Sequence, residues 1–295
     1  MILNKRVLNP LKLIILGTFF SSTLLAQKVE FSEYERKLLK VAPLLANGKD
    51  DTEKRNSHEK FLALWDTIID NPKSMKYPFD SLKVYVPILT SKNKKLRIIN
   101  WHTPLDNGIY NYYAIVQYHD SKGNYQVKIL EPLLGEVKNA NSLKLSDNQW
   151  IGALYYHMSS FKRGKKTYYL LLGWDGNNER SNKKIIDVLS VSKSLVFGAP
   201  IFRYKKQRLH RYILEYKEDA AVSVRYSEKE QSIFFPELIP IDKNFEGLYD
   251  YYIPDGSINA FELINGSFKF KENVQNPFKL SLPKIEKIDK GLFSK

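Results

Sequence analysis

The run Tyr168-Tyr169-Leu170-Leu171-Leu172, inside the β-prone stretch Lys166 to Trp174, constrains this fold more than any other feature. A strand points successive side chains to opposite faces, so an unbroken apolar run requires cover on both of them. A chain built around such a strand needs material above and below it. Other segments show the alternation of half-buried strands instead. Tyr110, Tyr112, Ala114, Val116 and Tyr118 share one face, Ser121-Lys122-Gly123-Asn124 supplies a turn, and Tyr125, Val127 and Ile129 return. That pattern predicts an antiparallel hairpin with one face on a core.

Strands are also predicted for Leu96 to Trp101, Ile185 to Val191 and Ser194 to Phe202. Arg211 to Tyr216, Ala220 to Tyr226 and Ser232 to Phe235 read as a meander, and Ile258 to Leu263 pairs with Phe268 to Lys271 across Asn265-Gly266. Asn-Gly is strong hairpin chemistry because both residues tolerate positive φ. Leu82, Val84, Val86 and Ile88 alternate and predict a further strand from about Ser81. Trp150 to Met158, after a capping box at Ser146 and Gln149, reads as a short helix or a strand, the helix preferred.

The chain ahead of these strands is helical. Ser32-Glu33-Tyr34-Glu35 reads as a capping box, and Phe61, Leu62, Leu64, Trp65, Ile68 and Ile69 form an apolar stripe ended by Asn71-Pro72. Before them, Lys5, Arg6 and Lys12 precede the apolar run Leu13 to Phe20, and Ala26-Gln27 closes the segment. A basic start, a short apolar stretch and a small final residue predict an export signal cleaved after Ala26. The apolar stretch is shorter than the roughly 20 residues a spanning helix needs, so no lasting membrane anchor is expected. The organisation expected is a signal over 1–26, a helical segment over 27–80 and a β-rich body over 81–276. The helices and the body form one domain, and 277–295 is a basic extended tail. The fold class is α+β: an N-terminal helical pair followed by a large, mostly antiparallel, curved sheet system.

The chain has no cysteine, so neither disulfides nor thiol chemistry contribute, and no lipid can be attached through a cysteine. Its formal charge is +14, or three less without Lys5, Arg6 and Lys12. Export turns that basic balance away from nucleic acid and towards envelope partners. The clusters Lys92, Lys94, Lys95, Arg97 and Lys162, Arg163, Lys165, Lys166 read as solvated loops.

The segments Tyr169 to Asn178, Lys184 to Leu189, Phe197-Gly198-Ala199-Pro200-Ile201-Phe202 and Tyr252-Ile253-Pro254-Asp255-Gly256-Ser257 resemble an uncharacterised family of exported proteins from Bacteroidetes-type bacteria. The resemblance implies a bacterial, exported protein and carries no activity or functional residue with it.

Motifs for nucleotide binding, the α/β-hydrolase nucleophile and zinc peptidases are absent from the sequence. No cofactor is called for. The loop Trp174-Asp175-Gly176-Asn177-Asn178-Glu179 is the best local candidate for a site. Trp174, Asp175, Asn177 and Asn178 fit a sugar or other polar ligand. Asp175, Asn177 and Glu179 form a weaker cation set, because hard cations take carboxylate and amide oxygens. The plain alternative is a turn in which Gly176 takes positive φ.

Aromatics near carboxylates (Trp101, Trp150, Trp174, Tyr155, Tyr156, Tyr251 and Tyr252 near Asp106, Asp175, Asp187 and Asp255) fit a glycan surface or simply a tyrosine-rich core. For a hydrolase, Asp175 and Asp187 are the candidate catalytic carboxylates. His157 and Asp187 with Ser159 or Ser160 form a weaker nucleophilic set. The expected function is a non-enzymatic binding or assembly factor of the cell envelope, partnered by an envelope glycan or protein. A periplasmic hydrolase acting on such a polymer is the alternative.

Overall fold

Helix α1 (Phe31–Asn47) and helix α2 (Asp51–Ile69) open the part of the computed structural model that is described, residues 30–130 and 137–278. The expected export signal and residues 279–295 of the expected tail lie outside the described residues. Asp50 caps α2 by accepting from the Glu53 amide, and α2 stops before Pro72, as the Asn71-Pro72 signal predicts. The predicted capping box at Ser32 is not formed, because α1 already includes Ser32 and the Glu35 carboxylate is engaged elsewhere. It accepts from Tyr77 Oη at 2.7 Å and from the amides of Ser81 and Leu82 at 2.9 and 3.3 Å.

That capture explains a second difference. The alternation from Leu82 to Ile88 predicted a strand, but Leu82–Val84 is a 3-10 turn and Val84 is 79% exposed. With their amides held by Glu35, Ser81 and Leu82 have no donors left for a ladder.

Three sheets follow. The first orders β1 (Ile88–Thr90), β2 (Leu96–Pro104), β3 (Tyr110–His119) and β4 (Tyr125–Leu130) in sequence. The second runs β5 (Leu145–Ser146), β9 (Leu195–Phe197), β8 (Ser181–Val191), β7 (Lys166–Asp175) and β6 (Leu154–Arg163), with β12 (Tyr212–Lys217) also on β8. The third runs β11 (Gln207–Leu209), β10 (Phe202–Tyr204), β16 (Ser267–Lys271), β15 (Tyr252–Ile264), β14 (Ser232–Pro240) and β13 (Arg225–Ser227). Every pairing is antiparallel except β10 with β16. The class is α+β, with an N-terminal helix pair and three mostly antiparallel sheets.

The sheets stack. Leu96, Ile98, Tyr112, Ala114 and Val116 of the first sheet meet Tyr155, Leu171, Ile185 and Leu189 of the second in one core. Leu170, Leu172, Ile186 and Val188, on the opposite face of the second sheet, meet Phe202, Ile233, Phe235, Phe261 and Phe268 of the third. The middle sheet is therefore covered twice, which is the arrangement the Leu170-Leu171-Leu172 run requires. The helices cover the remaining face of the first sheet. Phe61 packs edge-on against Trp101 at 5.0 Å, and buried Arg97 donates to the carbonyls of Ser74 and Tyr77 at 2.9 and 2.5 Å. Burial pulls the Arg97 guanidinium down to about 10. This cover is why Ile115 and Gln117 are buried on the hairpin face expected to meet solvent.

Trp150 to Met158 was expected to be a helix. Instead Leu154–Arg163 is the edge strand β6, preceded by the capping box at Ser146 and Gln149 around a single 3-10 turn. Gly152 at φ 76° breaks any helix there. Buried Asn100 then fixes where β6 begins, by accepting from the Tyr155 amide at 2.6 Å and donating to the Tyr155 carbonyl at 3.2 Å. The expected meander is split as well: Arg211 to Tyr216 joins the middle sheet, and the Ala220 to Tyr226 strand shortens to β13.

Candidate functional site

The turn from β7 to β8 is built from Trp174 to Ser181. It lies beside the turn that ends at Tyr110. Gly176 does not have the positive φ predicted for it; Asn177, at φ 47°, does. Gly176 is needed for space. A Cβ there would lie 2.3 Å from the Tyr110 ring, which covers the loop backbone. Tyr110 also packs edge-on against Trp174 at 5.2 Å and stacks on Tyr112 at 6.4 Å. His102 closes this aromatic group, 5.8 Å from Trp174, and burial holds its imidazole below its ordinary pKa.

The side chains of Asp175, Asn177 and Asn178 are bound internally. The Asp175 carboxylate accepts from the Asn177 amide at 2.8 Å, and the Tyr112 hydroxyl accepts from the Gly176 amide at 2.7 Å. Burial raises the Asp175 pKa, opposed by the bond from the Asn177 amide and by nearby Lys183. Asn177 donates to Ser181 Oγ at 2.7 Å and Glu215 Oε1 at 3.2 Å, and its carbonyl oxygen accepts from Lys183 Nζ at 2.9 Å. Asn178 Oδ1 accepts from the amides of Arg180 and Ser181 at 2.8 and 3.1 Å. Burial pushes the Tyr216 hydroxyl up to about 12.

These bonds decide between the sequence readings of the loop. Asp175 Oδ1 and the Asn177 carbonyl oxygen are taken by N–H donors, and the Lys183 ammonium stands where a cation would sit. Glu179 lies apart from them, its Cγ against Gly108. Among the described residues no cluster of three or more acidic or histidine side chains is arranged to hold a metal.

Asp187 is fully buried. Its Oδ2 accepts from Arg211 Nε at 2.9 Å, and its Oδ1 accepts from the Val188 amide at 2.7 Å. Arg211, also fully buried, donates onward to the carbonyls of Ala140 and Leu143. Asp175 lies opposite Lys183 and Asp187 opposite Leu171, so the two carboxylates are four residues apart along the ladder. That is about 13 Å, beyond the roughly 5–9.5 Å that glycosidase pairs use. Asp175 and Asp187 therefore do not form the catalytic pair expected of a hydrolase.

The nucleophilic set does not form either. Ser159 Oγ donates to Glu228 at 2.9 Å, while His157 keeps a buried Nε2 without a partner. Of the expected aromatic surface, Trp101, Trp150 and Tyr155 are core residues.

What the loop does build is the wall of a groove. Gly108, Tyr110, Gly176, Asn178, Glu179, Asn182 and Glu218 line a polar depression of about 280 Å³. Asn182 Nδ2 donates to the Glu218 carbonyl at 2.9 Å and steadies the far side. The carboxylates of Glu179 and Glu218 make no ion pair or hydrogen bond among the described residues, although Asn178 and Asn182 beside them are each engaged by one hydrogen-bonding atom. Sequence reasoning reached Asn178 and Glu179 through their turn chemistry. It missed Tyr110 and Asn182, at the starts of β3 and β8, and Glu218, in the turn after β12, none of which carries a local signal. Compared with family models, curated proteins and solved structures, the chain matches none.

Proposed function

We propose that this chain is an exported, non-enzymatic binding protein of the cell envelope, and that the groove between Tyr110 and Glu218 takes a hydroxyl-rich ligand, a segment of envelope glycan. The observation that supports this most is the pair of unengaged carboxylates in a groove whose other groups are fixed. Sugar hydroxyls donate to carboxylates and both donate to and accept from amides. Glu179, Glu218, Asn178 and Asn182 offer that mixture around the Tyr110 ring. The scaffold is held by hydrogen bonds of Asp175 to the Asn177 amide, of the Gly176 amide to Tyr112 and of Asn177 to Ser181 and Glu215, so little ordering accompanies binding.

Retention of the purified chain on immobilised envelope polysaccharide tests the reading. Glu218→Ala and Glu179→Ala are each expected to weaken retention by about tenfold or more, the effect of losing a hydrogen bond to a charged group. Retention unchanged in both variants would remove the groove from the proposal.

Two carboxylates in one groove also favour a hydrolase as a second reading, with Glu179 and Glu218 in place of Asp175 and Asp187. Both side chains face water, whereas a general acid needs burial to keep its proton near neutral pH. Release of reducing ends from the same polysaccharide, lost in Glu179→Gln or Glu218→Gln, would establish that reading over the first.

A further inference from the structure

The outer face of the third sheet carries a feature independent of the groove. In the β10–β11 hairpin Arg203 lies directly opposite Arg208, and across the parallel pairing with β16 it lies in register with Lys269. Directly paired residues share a face of the sheet, so Arg208, Arg203 and Lys269 form one row over three adjacent strands. With strands about 4.8 Å apart, the row is about 10 Å long. All three side chains are exposed.

None of the three makes an ion pair or side-chain hydrogen bond among the described residues. The acid that lies opposite Lys269, Glu262, is turned to Lys271 Nζ at 3.7 Å. Lys205, at the hairpin tip, is within 3.9 Å of Glu272. The flanking lysines are thus matched while the row is left bare. Like charges placed directly opposite each other destabilise a sheet. This row therefore works against the fold it stands on, unlike the scattered loop lysines.

We infer that Arg203, Arg208 and Lys269 form a docking row for an acidic polysaccharide, an extended polymer whose carboxylates meet the three cations in turn. Guanidinium forks match carboxylates in two-point contacts, and two of the three positions are arginine. Three cations in register on adjacent strands suit an extended chain lying across the strands. No exposed large hydrophobic residue belongs to β10, β11 or β16, so this face offers nothing to insert into a bilayer. The choice of polysaccharide over nucleic acid rests on the exported reading above; the row itself does not.

The test is titration of the full chain with polygalacturonate, neutral dextran, duplex DNA and phosphatidylglycerol vesicles at physiological salt. Polygalacturonate is expected to bind and dextran not to. The triple variant Arg203→Gln, Arg208→Gln, Lys269→Gln should weaken polygalacturonate binding by about tenfold or more. Lys94→Gln, Lys95→Gln, Lys122→Gln removes the same charge from exposed loops and should weaken it by less than about threefold. Equal losses in the two triples overturn the proposal, since net charge alone would then explain binding. Tighter binding of DNA or of vesicles than of polygalacturonate overturns the polysaccharide assignment.

Thermal melting guards the comparison. The row variant should melt at the same or a higher temperature than the parent, because an opposed pair of like charges is gone. A lower melting temperature shows the cations supporting the fold and overturns the premise. Glu218→Ala should leave polygalacturonate binding intact, so failure of the groove reading and failure of this one are separable.

Discussion

Asp187 and Arg211 show how one pair of charges can be essential to a fold and still be a poor stabiliser. Both are fully buried, and the guanidinium also ties the Ala140–Leu143 segment to the end of the middle sheet. Breaking a buried pair from one side leaves a charge without compensation, at a cost of about 3–5 kcal/mol. Arg211→Met and Asp187→Leu should each destabilise the chain by about that much in urea titrations, and the double variant should lose much less than their sum. Additive losses would mean that the pair is not coupled. Its aspartate attracted a catalytic reading in the sequence as one of several carboxylates near aromatic residues. A partner 24 positions later, beyond any local pattern, decides its role. The same limit applies to Asn100, which bonds Tyr155 across two sheets from a position with no motif around it.

At the scale of elements, the strands whose register is written locally were legible: the Tyr110–Tyr125 hairpin, the Asn265-Gly266 hairpin and the doubly buried β7. The errors share a cause. Leu82 to Ile88 and Trp150 to Met158 were read from period and capping alone, and in each case a distant polar side chain, Glu35 or Asn100, holds the backbone donors. The candidate site was half legible for the same reason. Its turn chemistry is contiguous, but its opposite wall comes from Asn182 of β8 and from Glu218, in the turn after β12. Gly176→Ala tests the join between the two, since the added methyl would meet the Tyr110 ring. The variant is expected to fold with a displaced Tyr110, to lose the groove's glycan retention by about tenfold, and to destabilise by about 1–3 kcal/mol, the usual cost of overpacking. Full retention would show that the ring does not shape the groove.

For the whole molecule, three part-buried imidazoles contribute to the response to acid. Burial lowers the pKa values of His102, His157 and His210. The unfolded chain then takes up protons below about pH 6.5 that the folded chain refuses, so stability present above that pH is lost as pH falls towards the lowered folded values. Asp175, raised by burial, acts in the opposite sense nearer the carboxylate range and cannot offset this loss above it. Urea midpoints should drop between about pH 7.5 and 5.5, and His102→Phe with His157→Phe should flatten that slope. A midpoint independent of pH over that interval would contradict the burial argument.

The crossover near Arg211 has a kinetic consequence. The first sheet is a succession of neighbours along the chain, closed by short loops. The middle sheet is interrupted: after β9 the chain leaves to lay down β10 and β11 elsewhere, and only then returns with β12 to pair against β8. Long-range pairings pay for loop closure before they are rewarded, and folding slows accordingly. The front of this chain pairs locally, whereas β10, laid down on that excursion, must wait for β16: Phe202 against Phe268 closes the longest loop of any strand pair among the described residues and is expected to form last. A change that weakens only that pairing should therefore speed unfolding more than it slows folding.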